Sequence, residues 1–298
     1  MIMNTNEVVN ISLAQLRPLQ NVSRLGDDMV YLNDTHYQHK VFQYPCRFET
    51  VILGLCTQGR SQAVVNLQEY TLGPGSLIFN LPNNILQIKE FSDDFRACTL
   101  IISTEFLKDL RIDLKSSIPF YMHIKSQPVT RIGEEDVKTL GDTFGLIHKA
   151  LDSPREYRKA DVIKSLTAAL AYQAGAIMYE TLPDEGLELP SRSRRDTFFE
   201  KFMHLLSENH KTERSMKIYA DQLHITPKYL SSLIKEATGR SATEWIDEYV
   251  VLEAKTLLKF SDMSIQEIAY YLNFSSQSFF GKYFKHHTGM SPSEYKKI

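Results

Sequence analysis

Cysteine is scarce in this chain of 298 residues: Cys46, Cys56 and Cys98 are the whole complement, an odd number without CxxC spacing. That argues against a disulfide framework and a zinc finger and leaves the three thiols as small buried hydrophobes. No run of about 18 apolar residues could span a bilayer. The opening residues, Met1 to Glu7, lack the basic start and apolar stretch of a signal peptide, so the chain is expected to be cytoplasmic and to have no membrane partner. Histidine is absent between Lys40 and Ile102. A Gly-rich phosphate loop, a GxSxG elbow and an HExxH pair are absent too, so no enzyme is expected: no catalytic residue, no metal and no cofactor. His36 and His39 lie three apart, but no Cys, Asp or Glu clusters with them, and they read as solvated or core-capping side chains.

What is present is enough for two ordinary domains, since 43% apolar and 23% charged residues over 298 positions fit globular units that each bury a core. The net charge of −2 argues against a general polyanion binder. It is unevenly spread, however. From Ser191 to Ile298 there are 16 basic against 13 acidic residues, a net of +3, and residues 1 to 190 carry 18 against 23, a net of −5. Positive charge in the C-terminal third points weakly to nucleic acid.

From about Tyr31 to Ile102 the pattern is that of short strands separated by turns. Thr50 to Thr57 runs into Gln58-Gly59, Ala63 to Leu67 continues towards Leu72, and Gly73-Pro74-Gly75 precedes Ser76 to Phe79. Pro82-Asn83-Asn84 breaks that strand before Ile85 to Ile88, Phe91 to Arg96 reads as an exposed loop, and Phe95 to Ile102 follows as another strand. A small barrel or sandwich is expected. Helices then take over: Thr104 to Leu110, Glu134 to Leu151 and Arg155 to Glu180. The last carries an apolar stripe of Val162, Leu166, Ala169, Leu170, Ala174, Ile177 and Met178, which needs a partner in the barrel, in the preceding helix or in a second copy of the chain. The Pro, Gly and charged residues from Leu182 to Arg192 mark a linker. The domains are therefore placed at 1–182 and 194–298, joined by a linker at 183–193.

The last hundred residues contain an internal repeat. Met216, Tyr219, Ala220, Leu223, Ile225 and Thr226 match Ile265, Ile268, Ala269, Leu272, Phe274 and Ser275 at an offset of 49; after one extra residue Leu230, Ile234, Gly239, Ser241 and Trp245 match Phe280, Phe284, Gly289, Ser291 and Tyr295 at 50. Each copy has the grammar of a helix, a tight turn and a second helix, at about 215–237 and 264–287. Ser241 with Glu244, Ser264 with Glu267 and Ser291 with Glu294 fit the capping box, and Thr226 before Pro227 fits a cap followed by a first helical residue. Leu230, Leu233, Ile234 and Ala237 form a packing face in the first copy, as Phe280, Tyr283, Phe284 and His287 do in the second. The opposite faces hold Lys228, Ser231, Ser232 and Lys235, and Ser278, Gly281, Lys282 and Lys285, with Gln277 near the helix start. Lys and Gln reach base edges or phosphates, and small residues let a helix sink into a major groove. His286 and His287 are candidates for phosphate or plain helix-end residues. Between the copies, Ala242 to Lys259 reads as a connecting helix about 27 Å long at 1.5 Å per residue.

The stretch Ser264-Ile265-Gln266-Glu267-Ile268-Ala269, then Asn273 to Phe280, then Phe284-Lys285 through Thr288-Gly289-Met290-Ser291-Pro292, resembles the signature of AraC/XylS-type transcriptional regulators. Ile225-Thr226-Pro227-Lys228-Tyr229-Leu230 to Thr238-Gly239 is similar to that family's first helix-turn-helix. The resemblance covers about residues 195 to 298. It implies an all-α domain that binds double-stranded promoter DNA, commonly as a homodimer, works with RNA polymerase and usually activates transcription. By position it makes Lys228, Ser231, Ser232, Gln277, Ser278 and Lys282 base-reading, and it gives Thr226, Lys235, Ser275 and Lys285 to phosphate, Thr226 and Ser275 as the helix N-termini. The chain departs from the family at Asp247, Glu248 and Val250, where many members are basic, and at Gly281, where a polar side chain is common. The N-terminal region is similar to cupin-like sensor domains, with Leu72 to Leu77 in the place of a cupin turn. An α+β chain is expected, a cupin-like β-barrel with following helices joined to the helical domain, controlled by an unknown small-molecule effector or a partner. Arg60, Tyr70 and Arg96 are polar groups within the strand region. The competing reading is a small-molecule binding cupin-like protein whose helical tail mediates assembly, and the polar outward faces argue against it, since an assembly surface should be apolar.

Overall fold

Residues with a left-handed backbone punctuate the strand region and decide where each strand ends. In this computed structural model, which describes residues 9–19, 22–33, 40–110, 118–180 and 194–297, Gly59 and Gly75 adopt φ of 72° and 80° and Asn83 adopts 67°. Gly75 shows why glycine is required, because a Cβ there would stand 2.9 Å from the Ile132 carbonyl oxygen. The linker expected at 183–193 and the pair His36 and His39 lie outside the described residues. The chain divides into two compact units, one of Val9–Leu114 with Phe120–Leu187 and one whose main part is Glu188–Ile298.

The first unit holds eleven described strands: β1 (Val9–Ile11), β2 (Ser23–Leu25), β3 (Met29–Leu32), β4 (Cys46–Phe48), β5 (Val51–Gln58), β6 (Ser61–Val65), β7 (Gln68–Leu72), β8 (Ser76–Asn80), β9 (Ile85–Phe91), β10 (Arg96–Ile102) and β11 (Val129–Arg131). They form two sheets, ordered β1-β4-β9-β6-β7 and β11-β8-β5-β10-β3-β2. The expected run from Ala63 towards Leu72 is a hairpin instead. Asn66 and Leu67 both take positive φ, 48° and 70°, so β6 and β7 fold back with Val65 opposite Gln68. A leucine is not a turn residue by composition, which is why the bend is not visible in the sequence.

Five helices accompany the sheets: α1 (Lys40–Gln43), α2 (Thr104–Asp109), α3 (Ile118–Ser126), α4 (Glu134–Leu151) and α5 (Lys159–Glu180). α5 begins four residues later than its pattern suggests, because Arg158 adopts φ 59° and cannot continue a right-handed helix. Its buried stripe is Ile163, Thr167, Leu170, Ala171, Ala174 and Met178; Leu170, Ala174 and Met178 are buried as expected, whereas Leu166 and Ile177 are half-buried and Val162 and Ala169 are exposed. The stripe packs with Leu140, Phe144 and Ile147 of α4 against Leu53, Leu55, Leu77, Phe79 and Leu100 of the six-stranded sheet. Burying such side chains contributes roughly 1.5–3 kcal/mol each, enough to fix both helices on the sheet. Cys46 and Cys56 are buried free thiols, pushed by desolvation up to about 12 and about 11, and Cys98 is half-buried.

The second unit is helical: α6 (Arg194–Asn209), α7 (Met216–Gln222), α8 (Pro227–Thr238), α9 (Ala242–Phe260), α10 (Ile265–Tyr271), α11 (Gln277–Thr288) and α12 (Pro292–Tyr295). The fold class is therefore α+β. α9 is the expected connector, one residue longer than predicted, and its Trp245, Ile246, Val250 and Ala254 are buried. Ala220 and Ala269 are fully enclosed in α7 and α10, as the close approach of crossing helices requires. Among the described residues no helix is long and apolar enough to cross a membrane.

Candidate nucleic-acid interface

The two helix pairs are built with the same joints. In the first copy the Thr238 hydroxyl lies 2.9 Å from the Ile234 carbonyl oxygen and 3.1 Å from that of Arg240; in the second the Thr288 hydroxyl lies 2.7 Å from Phe284 and 3.0 Å from Met290. Gly239 and Gly289 close the helices in left-handed conformation, φ 73° and 78°, each amide donating to a lysine carbonyl four residues back. The three capping boxes, Ser241 with Glu244, Ser264 with Glu267 and Ser291 with Glu294, are all formed. Their glutamates are held below the usual carboxylate range by hydrogen bonds from the cap serine, chiefly its hydroxyl at Glu244 and Glu294 and its amide at Glu267. Lys235 and Lys285, fifty residues apart, add a smaller pull on Glu244 and Glu294.

The turns differ by one residue. His224 and Asn273 take the same left-handed conformation, φ 55° and 56°, just beyond α7 and α10. Thr226 then caps α8, accepting the Tyr229 amide at 3.2 Å. In the second copy Ser276 is the cap, accepting the Phe279 amide at 3.2 Å. The sequence reading that made Ser275 the helix N-terminus is therefore corrected. Ser275 is the extra residue of the repeat and sits before the cap, and Ser276 replaces it because its extended backbone aims Oγ at the first turn.

The outward faces are open. Lys228, Ser232 and Lys235 of α8 are exposed and Ser231 is half-buried; Gln277, Ser278, Lys282 and Lys285 of α11 are exposed, as are Thr226 and Ser275. On the other side Leu230, Leu233 and Ile234, and Phe280 and Phe284, are buried as the period suggests, but Tyr283 is half-buried and His287, expected on the packing face, is exposed at the end of α11. Ala237 is half-buried at the edge of the packing face. Among the described residues no salt bridge or side-chain hydrogen bond takes up Lys228 or Lys282. Cations left free on a helix face beside small hydroxyl residues can enter a groove and meet base edges.

Two further residues share this surface that pattern reading passed over. Tyr229 and Phe279 occupy equivalent positions in α8 and α11, 43% and 66% exposed. The signal is their offset of fifty, which pairs the two residues across the repeat although neither is assigned to a face. Behind the interface, side chains from other helices set the geometry. Arg214 donates to the carbonyls of Leu272 and Asn273 at the end of α10 and places its guanidinium 3.8 Å from the Phe274 ring centre. Asn273 returns a bond to the Thr212 carbonyl at 2.7 Å. Glu253 of α9, 4% exposed, faces His210 and Lys211, with oxygens 3.6 Å from each. A buried carboxylate needs such partners. The acids that depart from the family pattern have partners too: Glu248 meets Arg240 at 2.7 Å, and Asp247 accepts the Tyr283 hydroxyl.

A duplicated helix-turn-helix unit is thus the class this geometry defines. A helix-turn-helix domain model matches residues 219–298, and an AraC-like ligand binding domain model matches residues 29–172. Among curated relatives, the HTH-type transcriptional regulator YijO of Escherichia coli (strain K12) is 29% identical over 112 residues, 38% of this chain and 40% of that protein. The arabinose operon regulatory protein of the same organism is 28% identical over 156 residues, 52% of this chain and 50% of that protein. The chain thus spans half or less of the length of these relatives. Among solved structures, fatty acid-bound ToxT of Vibrio cholerae matches at TM-score 0.39 and 17% identity, over 83% of this chain and 87% of that one. In carrying an AraC-like ligand binding domain match followed by a helix-turn-helix domain match, the chain is similar to AraC-type transcriptional regulators.

Proposed function

We propose that this chain is a sequence-specific DNA-binding transcription regulator, an activator under the control of a ligand or partner bound to its N-terminal domain. The observation that carries the reading is the duplicated outward face, Lys228, Ser231 and Ser232 on one helix and Gln277, Ser278 and Lys282 on the other, each helix closed by the same Thr-Gly end. These side chains read base edges, and Thr226, Lys235 and Lys285, with Ser276 at the capped start of α11, hold phosphate. The AraC-like ligand binding match supports a sensing role for residues 1–182, with 183–193 as the linker and 194–298 as the reader. Leu146, Val162 and Tyr172, exposed on the outer side of α4 and α5, suit a homodimer contact. RNA polymerase is the partner at the promoter, the cytoplasm the site of action, and no catalysis is involved.

The test is enrichment of genomic fragments by the purified protein across a salt series, with a Lys228→Ala, Lys282→Ala double variant alongside. A few strongly enriched sites, lost in the variant, support the reading. Absence of enrichment at every salt concentration, with and without cell extract as a source of effector, sinks it.

A further inference from the structure

The sensor unit carries an unassigned cleft where its two sheets part. β7 is one edge strand of the five-stranded sheet and β11 one edge strand of the six-stranded sheet. Between them lies a cavity of about 540 Å³ lined by Arg60, Tyr70, Leu72, Pro74, Val129 and Arg131 among others. Register fixes which side chains face it. Tyr70 shares the inner face of β7 with buried Leu72 and lies opposite buried Ala63. Arg131 lies opposite Ser76 and Val129 opposite Ile78, on the sheet face opposite to the one that packs on α4 and α5. Arg60 enters from the residue before β6. Leu72 and Ser76 also line a second cavity of about 50 Å³ inside the barrel, walled by Ile52, Ile78, Leu86 and Ile101. A charged mouth therefore adjoins an apolar interior.

Among the described residues neither the Arg60 nor the Arg131 guanidinium has an ion-pair or hydrogen-bond partner, and the Tyr70 hydroxyl is equally unclaimed. Burial raises the pKa of Tyr70, so the hydroxyl stays a donor at neutral pH. Two cations and a hydroxyl, all donors, line a space that Leu72, Pro74 and Val129 make apolar elsewhere. Guanidinium forks match the two oxygens of a carboxylate. We propose that this cleft binds an amphiphilic organic carboxylate, its head held by Arg60, Arg131 and Tyr70 and its apolar body against Leu72 and Val129. The proposal rests on the sensing role of this domain and names the ligand class it takes.

The test uses the full chain and three probes: 4-phenylbutanoate, the neutral 4-phenylbutanamide and inorganic phosphate, each titrated calorimetrically. The acid binds and the other two do not; R60Q and R131Q each weaken it at least tenfold, Y70F less, and R96Q, outside the cleft, leaves it unchanged. Equal binding of the amide, equal binding of phosphate, or full affinity in both R60Q and R131Q overturns the inference. DNA enrichment by the same preparation separates the two readings. A protein that enriches DNA but ignores the acid loses this site and keeps its proposed function. One that binds the acid as described but enriches no DNA, with or without the acid, keeps the site and loses the regulator.

Discussion

The Tyr283 hydroxyl donates to Asp247 Oδ1 at 2.7 Å, tying the second recognition helix, α11, to the connector α9. His287 Nε2 approaches the other oxygen of the same carboxylate at 3.8 Å. An acid in the middle of the connector is thus a structural anchor, turned away from any role as a phosphate contact. Tyr283→Phe removes one hydrogen bond to a charged acceptor and is expected to cost about 2 kcal/mol. Urea denaturation of the full chain checks it, and a change below a few tenths of a kcal/mol would refute the anchor.

The same pair has a signature at high pH. Burial first, and then the bond to Asp247, raise the Tyr283 pKa above its ordinary 10. A group whose folded pKa is raised contributes stability that is complete below the unfolded value and is lost as pH climbs from there towards the folded value. Wild-type stability should therefore fall above pH 10, and more steeply than in Tyr283→Phe. Buried Tyr219, also raised, adds to the fall in both proteins. Parallel curves for the two proteins would contradict the assignment.

Each recognition helix is followed by a capping box whose loss should be felt. Ser241→Ala and Ser291→Ala are each expected to cost about 1 kcal/mol. Because Ser241 starts the long connector and Ser291 the short α12, thermal melts of the two variants test whether the first loss is the larger.

Gly239 and Gly289 stand in open space, with no heavy atom within 4 Å of where a Cβ would stand, so steric clash plays no part there. Replacement by alanine meets the left-handed backbone penalty alone, roughly 1 kcal/mol at each site. Equal losses in the two variants, measured by denaturant midpoint, are expected from the equal joints.

On the proposed reading, lysines differ in kind. Lys235→Ala and Lys285→Ala should weaken binding to all sequences alike and together lower the salt slope by about 2, each phosphate contact contributing about 0.9. Lys228→Ala and Lys282→Ala should instead relax sequence preference at a few positions. Competition binding with point-substituted sites, at two salt concentrations, separates the two behaviours.

Much of this was legible because local rules decided it. The division of α8 and α11 into two faces, the three capping boxes and the enclosed Ala220 and Ala269 follow from spacings within one or two turns. α4 was bounded correctly at both ends for the same reason. The hairpin at Asn66 and Leu67 and the late start of α5 at Arg158 were not legible, since Leu and Arg in left-handed conformation are held there by their surroundings and carry no local signal. Ser275 and Ser276 offer the same chemistry to a cap, so the choice between them needed the backbone. Arg214 on Leu272 and Asn273, Glu253 between His210 and Lys211, and Arg60 with Arg131 around one cleft bring together residues about forty to seventy positions apart, which no period can reveal.

The extra residue Ser275 has a consequence for direction. On the proposed reading, with one turn longer than the other, the two reading helices of a single chain are unequal heads on a common shaft. Such a tool distinguishes the two ways of lying along a duplex, as a key with unlike teeth fits a lock from one side. On the proposed reading, a single chain's target is then an arrow, and inverting that stretch in place, with every base pair kept, changes which way the bound chain points.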